Sequence, residues 1–382
     1  MIANPALNLN GDVGDVIFLE NPGDISRSHK TSNLQIEKPQ SNTNNTLLSN
    51  LESVHNTIIL DKKFRFSRRR TTALSTAILF SMNQTGAFSS TTTSKNTMSS
   101  SCAASSANIR VISNDKLHVS EPDPSWFGNG PNKKDDPAWT NSNWLKSRFH
   151  FSFAEYSKSG NQRFGKLRVM NDDLVQPHTG FGQHSHANME IITYVVHGGL
   201  YHKDSMGTKE TLDRGAIQFM TAGTGVRHEE FNHEDTPLRF IQTWIVPRSQ
   251  GLKPNYGSSG GSLKGRKNQF QHLVSDTKNA NVSTPVEINQ NVDVFATELD
   301  LAKKLEVELP EGRMAYLLCV EGEVKINGQE LKKHDGCEIS TESGGGKLEI
   351  EATDVEATET GNVAHVLMFS VEAEKGAGRS DF

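Results

Sequence analysis

The chain is 382 residues long, enough for two or three domains, and only 34% of it is strongly hydrophobic. Its net charge of −5 is unevenly spread: residues 1–107 hold 10 Lys/Arg against 7 Asp/Glu, leaving 30 against 38, or −8, for the remainder, which argues against direct nucleic-acid binding. No run approaches the ~18 apolar residues of a spanning helix, and Cys102, Cys319 and Cys337 are too few and too scattered for a disulfide framework or a thiolate zinc site, so a reducing compartment is the simpler reading.

Residues 1–61 are polar, rich in Asn and Ser and without sustained periodicity, and they read as disordered. From Lys62 to Asn114 there is no acidic residue, while eight are basic. Within that stretch "KKFRFSRRR" precedes the short apolar "ALSTAILF" and then "NQTGAFSSTTTSKNTMSSS", which looks like a targeting presequence. The "GAFSS" around Phe88 is similar to the signal/transit junction of complex-plastid algae. Against this, 61 residues stand in front of it, and Met82 or Met98 would serve as a start. Delivery to a plastid or another organelle therefore competes with residence in the cytoplasm or nucleus.

After about residue 108 short apolar runs alternate with Gly, Asn-Gly and Asp-Gly. Strands are expected at 166–170, 190–196, 216–222 and 239–246, the last stopped by Pro247. A second set is expected at 304–309, 315–328, 337–340, 347–353 and 365–371, with a hairpin turn at Asn327-Gly328. No amphipathic helix separates these strands, so the fold class is all-β, an antiparallel sandwich or barrel. The two sets resemble each other: "YVVHGG" from Tyr194 is followed by "DRG" ending at Gly215, and "YLLCVEG" from Tyr316 by "HDG" ending at Gly336. That implies a duplicated β-domain, with the Gly/Ser-rich residues 255–267 between the copies expected to be mobile.

Only the first copy carries paired histidines. In a strand, residues i and i+2 share a face about 7 Å apart, so His184 and His186 can converge on one ion. His228 and Glu230 repeat that spacing, and residues 202–220 between the pairs carry the chain out and back through turns at "SMG" and "DRG". Three imidazoles and one carboxylate suit Fe, Mn, Ni, Co, Cu or Zn and are too nitrogen-rich for Mg or Ca. His202 is expected to support its hairpin turn with Asp204, and His197 and His233 to be loop or surface residues. Phe181, Met220 and Phe231 flank the ligand segments as pocket lining or barrel core. His334 and His365 have no partner at a suitable spacing. There is no phosphate loop, nucleophile elbow or CxxC motif.

The segment from "GFGQHSHANMEIITYVV" to "TAGTGVRHEEFN", with "FHFSFAEY", "LRVMNDD" and "IQTWIVP" around it, resembles the N-terminal cupin of the pirin family, and within it the bacterial pirin-like quercetin dioxygenases. The similarity covers about residues 145–255 and, more weakly, about 290–372. It implies two tandem cupin barrels (double-stranded β-helix, jelly-roll) behind a disordered extension, with metal only in the first. The implied organisation is extension 1–107, metal-binding cupin 108–254, linker or insert 255–290, metal-free cupin 291–372 and tail 373–382. Carried over residue by residue, the ligands fall on His184, His186, His228 and Glu230. Many cupins use a glutamate four residues after the HxH pair. Glu190 stands there, and it is expected behind the ligands, orienting an imidazole, or simply accepting hydrogen bonds at the rim.

The resemblance further implies one divalent transition metal, Fe(II) first, with Mn, Co, Ni, Cu or Zn as alternatives. The implied reaction is O2-dependent cleavage of a small aromatic, flavonol-like substrate with release of CO, with Glu230 as the base. The alternative is a metal- or redox-dependent regulatory protein with a protein partner, and a third reading is a cupin acting on another small metabolite. A monomer is expected, because the duplication supplies the partner barrel.

Overall fold

The computed structural model describes residues 107–130, 144–340 and 345–373. The expected extension before residue 107, its presequence-like stretch, Cys102 and the tail after residue 373 lie outside the described residues. Among the described residues the chain is all-β, with four sheets and one α-helix, the single turn Leu263–Arg266.

The first half divides into a large and a small sheet. The large one runs, in spatial order, Asn255–Ser259, Ile217–Thr221, Glu190–His197, Leu238–Ile245, Leu167–Val175, Leu145–Phe149 and His118–Ser120. The small one runs Gly180–His186, Val226–Phe231, Leu200–Asp204 and Lys209–Leu212. The second half repeats the division. Its large sheet centres on Gly336–Ser340, Arg313–Glu321, Gly361–Glu372 and Val292–Leu299, and its small sheet holds Lys304–Leu309, Gly346–Asp354, Glu323–Ile326 and Gln329–Lys332. Every strand expected from the sequence is present, and Asn327-Gly328, both at positive φ, turns the hairpin between Ile326 and Gln329.

The almost unbroken apolar strand Glu190–His197 is explained by burial on both faces. It lies between Leu238–Ile245 and Ile217–Thr221. Ile192, Tyr194 and Val196 join a core cluster shared with Leu318, Val320, Leu367 and Phe369 of the second half. Ile191 and Val195 face the other way, into the first half's own clusters with Trp244 and Phe240. A strand covered on both sides has no polar face to alternate with.

Two segments depart from expectation. Residues 255–267 are not a mobile link: Asn255–Ser259 pairs residue by residue with Ile217–Thr221, and the Arg266 side chain is buried. The glycines there serve close approach, since a Cβ on Gly257 would lie 2.6 Å from the Phe219 ring. At the other end, Asn108–Ile112 pairs with Gly336–Ser340 and so belongs to the second half's sheet. A register set by contacts more than two hundred residues apart leaves no local mark in the sequence. The expected strand over 315–328 is two strands, broken at Gly322.

Candidate metal centre

His184 and His186 lie on Gly180–His186, an edge strand whose one neighbouring strand is Val226–Phe231. His228 stands directly opposite His184, and Val226 opposite His186. The two strands therefore present three imidazoles on one face, with ring centroids 4.5 to 4.8 Å apart. A bulge between His228 and Glu230 shifts the register, bringing Glu230 opposite Phe181. Gly180 and Gly182 let the segment 124–129 lie flat against this edge: Asn129 bonds both the N–H and the carbonyl of Gly180, and a Cβ on Gly182 would lie 2.7 Å from the Phe127 carbonyl oxygen.

The imidazoles are prepared to donate lone pairs. His184 Nδ1 is 2.8 Å from the Gly182 carbonyl and donates its proton there, which turns Nε2 inward. That Nε2 lies 3.0 Å from His228 Nε2. Two metal–nitrogen bonds of ~2.1 Å meeting at a right angle would place their nitrogens about 3.0 Å apart. Burial pushes all three histidines below their ordinary pKa, and their mutual repulsion adds to it for His186 and His228. They are neutral at pH 7, as ligands must be.

Glu230 is buried and cradled. Its Oε1 accepts from Gln218 Nε2 at 2.9 Å and Thr193 Oγ1 at 3.2 Å, and its Oε2 from Gln242 Nε2 at 2.6 Å. Trp244 Nε1 donates to Gln242 Oε1 at 3.1 Å, which fixes that amide, and the indole meets the His186 ring edge-on at 4.8 Å. Burial raises the Glu230 pKa, and the three donors oppose the rise. Deeper in, Asp173 takes a hydrogen bond from Ser147; burial pushes it up to about 8, against that bond and with the charges of Asp172 and Glu230 adding.

The four expected ligands thus fall into two overlapping groups. His184, His186 and His228 place their nitrogens within 4.8 Å of one another, and Glu230 does the same with His228 and His202. This N/O set can hold a divalent metal ion. Glu190 stands apart: its carboxylate accepts from Thr221 at 2.8 Å and Asn289 at 3.0 Å. These are the hydrogen bonds of the second role expected for it, and an unbroken strand would have put it on the histidine face. The chain instead breaks between His186 and Glu190, with Asn188 at φ +53°. His202 bonds Asp204 at 3.3 Å, as expected, and also faces the centre. Phe181 packs among Phe127, Trp144, Phe240 and His184; Met220 is core, and Phe231 lies against His233.

Thr193, Gln218 and Gln242 were not singled out from the sequence, although each is a polar residue within a mostly apolar strand and the three lie side by side across neighbouring strands. Three such interruptions at one level are a readable signal of a polar interior. His334 and His365, left unpartnered by the sequence, bond Asp172 and Glu321.

An all-β chain of two similar halves, with a His/Glu cluster in the first that could hold a divalent metal, has a cupin-like fold. The pirin family model matches residues 132–245, and a model described as the quercetinase C-terminal cupin domain matches 273–371. A pirin-like protein of Caulobacter vibrioides is 38% identical over 52% of this chain and 85% of its own length. The quercetin 2,3-dioxygenase of Escherichia coli K12 is 34% identical over 54% of this chain and 87% of its own. The bacterial pirin YhhW of Escherichia coli, solved in complex with nickel(II), superposes with a TM-score of 0.56 at 27% identity, covering 70% of this chain and all of that one. The chain belongs to the pirin family.

Proposed function

We propose that the chain is a metal-dependent dioxygenase of the quercetin 2,3-dioxygenase type, which opens a flavonol ring with O2 and releases carbon monoxide. The observation that carries this reading is the triangle of three neutral imidazoles, with His184 and His228 Nε2 3.0 Å apart and the nitrogens of all three within 4.8 Å of one another, in a chain 34% identical to the Escherichia coli quercetin 2,3-dioxygenase. His184, His186, His228 and Glu230 hold one divalent ion, Fe(II) before Mn, Co, Ni, Cu or Zn. Each half closes as a cupin barrel, with Asn255–Ser259 added to the first and Asn108–Ile112 to the second, and the protein works as a monomer.

An ion held there supplies the Lewis acidity that lowers the pKa of a flavonol 3-hydroxyl and opens the resulting oxyanion to O2. The chain supplies the rest. Glu230 takes the hydroxyl proton: burial raises its affinity for that proton, while Gln218, Gln242 and Thr193 keep the carboxylate aimed. Phe127, Phe181 and Trp144 form an aromatic wall beside His184 that excludes water and suits a flat aromatic substrate.

The test is O2 uptake with quercetin after separate reconstitution with Fe(II), Mn, Co, Ni and Cu, with His186→Ala as control. Metal-dependent uptake lost in the variant supports the reading and names the working ion. Full metal loading without uptake from any ion refutes it, and leaves the regulatory binding protein as the role of the same site.

A further inference from the structure

We infer that His202 and Asp204 support the metal centre through His228, as a hydrogen-bonded line in which His228 Nδ1–H donates to His202 Nδ1 and His202 Nε2–H donates to Asp204. The inference rests on the reading of His228 as a ligand given above.

Two orphaned atoms carry it. The Nδ1 atoms of His202 and His228 are both buried, and neither has a hydrogen-bond partner. Their rings lie 5.4 Å apart on neighbouring strands, with His228 opposite Asp204 and Glu230 opposite His202. A buried polar atom left unpaired is costly, and two of them side by side call for a common solution.

The tautomers make them complementary. Asp204 Oδ1 accepts the backbone N–H groups of Met206 at 2.8 Å and Thr208 at 3.0 Å, which pins the carboxylate in the hairpin turn. Its Oδ2 faces His202 Nε2 at 3.3 Å. A carboxylate only accepts, so His202 Nε2 carries the proton and His202 Nδ1 is left as a bare acceptor. His228 Nε2 points at His184 Nε2. Once it gives its lone pair to an ion, the ring's proton sits on Nδ1, which becomes a donor. Donor and acceptor then meet directly or through one bridging water.

The surroundings hold the acceptor still. Tyr256 stacks on the His202 ring with centroids 4.5 Å apart and planes at 23°. The Tyr256 hydroxyl is fixed in turn by Glu210 at 2.5 Å and Gln218 at 2.8 Å. The hairpin and the segment after Asn255 therefore act on the centre from behind, by setting the orientation and basicity of one ligand imidazole. A metal-bound histidine commonly passes its other N–H to such a partner.

The test titrates the full chain with Ni(II) by calorimetry, comparing wild type, His228→Ala, His202→Phe and His202→Gln, with circular dichroism as the check on folding. His202→Phe should lose about 10- to 100-fold in affinity. His202→Gln, whose amide oxygen can still accept, should regain most of it. In parallel, long-range 1H–15N spectra of the Zn(II)-loaded wild type should show His228 protonated on Nδ1 and His202 unprotonated there. Unchanged affinity in His202→Phe, or a proton on His202 Nδ1, overturns the inference, and the spectra decide it if the variants do not fold. Wild-type-like binding by His228→Ala instead overturns the reading of the metal site itself, so the two failures are distinct.

Discussion

Replacing Arg214 by Met tests whether the buried charges between the halves hold the molecule together. Arg214 forks onto Glu321, with Nη1 2.9 Å from Oε1 and Nη2 2.6 Å from Oε2; it also reaches Glu298 at 3.1 Å and the Val196 carbonyl at 2.6 Å. The side chains are nearly closed to solvent, at 4% for Arg214, 7% for Glu321 and 0% for Glu298. Arg266 supplies the second positive charge on Glu298 at 2.8 Å. His365, whose pKa is lowered by burial, bridges Tyr194 and Glu321 as a neutral ring. Two cations thus balance two carboxylates. Methionine keeps most of the volume, so the loss is electrostatic: Glu321 keeps one donor, His365, and one negative charge is left uncompensated.

Breaking a buried pair from one side costs ~3–5 kcal/mol, and this fork, with its extra bond to a carbonyl, belongs toward the upper end. Urea denaturation of wild type and Arg214→Met at pH 7 measures the loss. The double variant Arg214→Met/Glu321→Gln, which restores neutrality, should recover most of it. The pH dependence has a definite sign. Burial works against the ionised form of Glu321, but the hydrogen bonds from His365 and Arg214 and the Arg214 charge win and hold its pKa well below the ordinary 4.5. A depressed carboxylate contributes stability that is present above 4.5 and is lost as the pH falls below it. Wild type should therefore lose stability between pH 4.5 and more acidic values more steeply than Arg214→Met does. A loss below about 1 kcal/mol, the scale of an exposed pair, with no difference in acid sensitivity, would refute the reasoning.

Three further outcomes follow from the geometry of the centre. Glu230→Gln should weaken metal binding and, compared at equal metal content, lose ~100-fold or more in turnover, the scale of a general base; metal analysis beside O2 uptake checks it, and full turnover per bound ion would remove Glu230 from that role. Glu190→Gln, which keeps a partner for Thr221 and Asn289, should retain metal content and cost under about 1.5 kcal/mol, whereas a ligand would lose the ion. Gly182→Ala forces a Cβ to 2.7 Å from the Phe127 carbonyl, so it should destabilise by ~1–3 kcal/mol and weaken metal binding, because the displaced strand carries His184 and His186.

What the sequence made legible follows from the range of the forces involved. Alternation and turn chemistry are local, so the strongly apolar strands of both halves and the Asn327-Gly328 hairpin could be placed without coordinates, while polar strands such as Gly180–His186 and Val226–Phe231 were not delimited. The HxH and HxE pairs were legible because strand geometry puts i and i+2 on one face, and a hairpin-length connection brings two strand ends together. Glu190 could be set apart from the ligands in the sequence, but not which of its two expected roles it takes, because its acceptor contacts to Thr221 and Asn289 depend on the chain break at Asn188 and on a distant segment. The pairing of Asn108–Ile112 with Gly336–Ser340 depends on distant contacts alone. The His202–His228 relation depends on which ring nitrogen carries a proton, and no spacing encodes that.

The internal repeat marks the interface between the halves rather than the site. Tyr194 of the first half meets His365 of the second at 3.1 Å, and Tyr316 of the second meets His150 of the first at 2.8 Å. The two matched turns act alike: Arg214 before Gly215 reaches Glu298 and Glu321, and His334 before Gly336 reaches Asp172. Each half offers the same face to the other, so substitution there must preserve both sides at once, and the Tyr-to-Gly spacing persists in both copies. The interiors are under no such mutual constraint. In the first, Thr193, Gln218 and Gln242 hold Glu230 beside the histidines. In the second, the corresponding space is filled by Leu317, Cys319, Val324, Ile326, Leu348 and Ile350. Its two thiols offer a metal nothing either: burial raises both, Cys337 up to about 12, so they stay protonated and serve as small apolar side chains. The second copy needs no metal chemistry of its own to matter to the first, because Glu298, Glu321 and His334 on its outer face pair with Arg214 and Asp172 of the first.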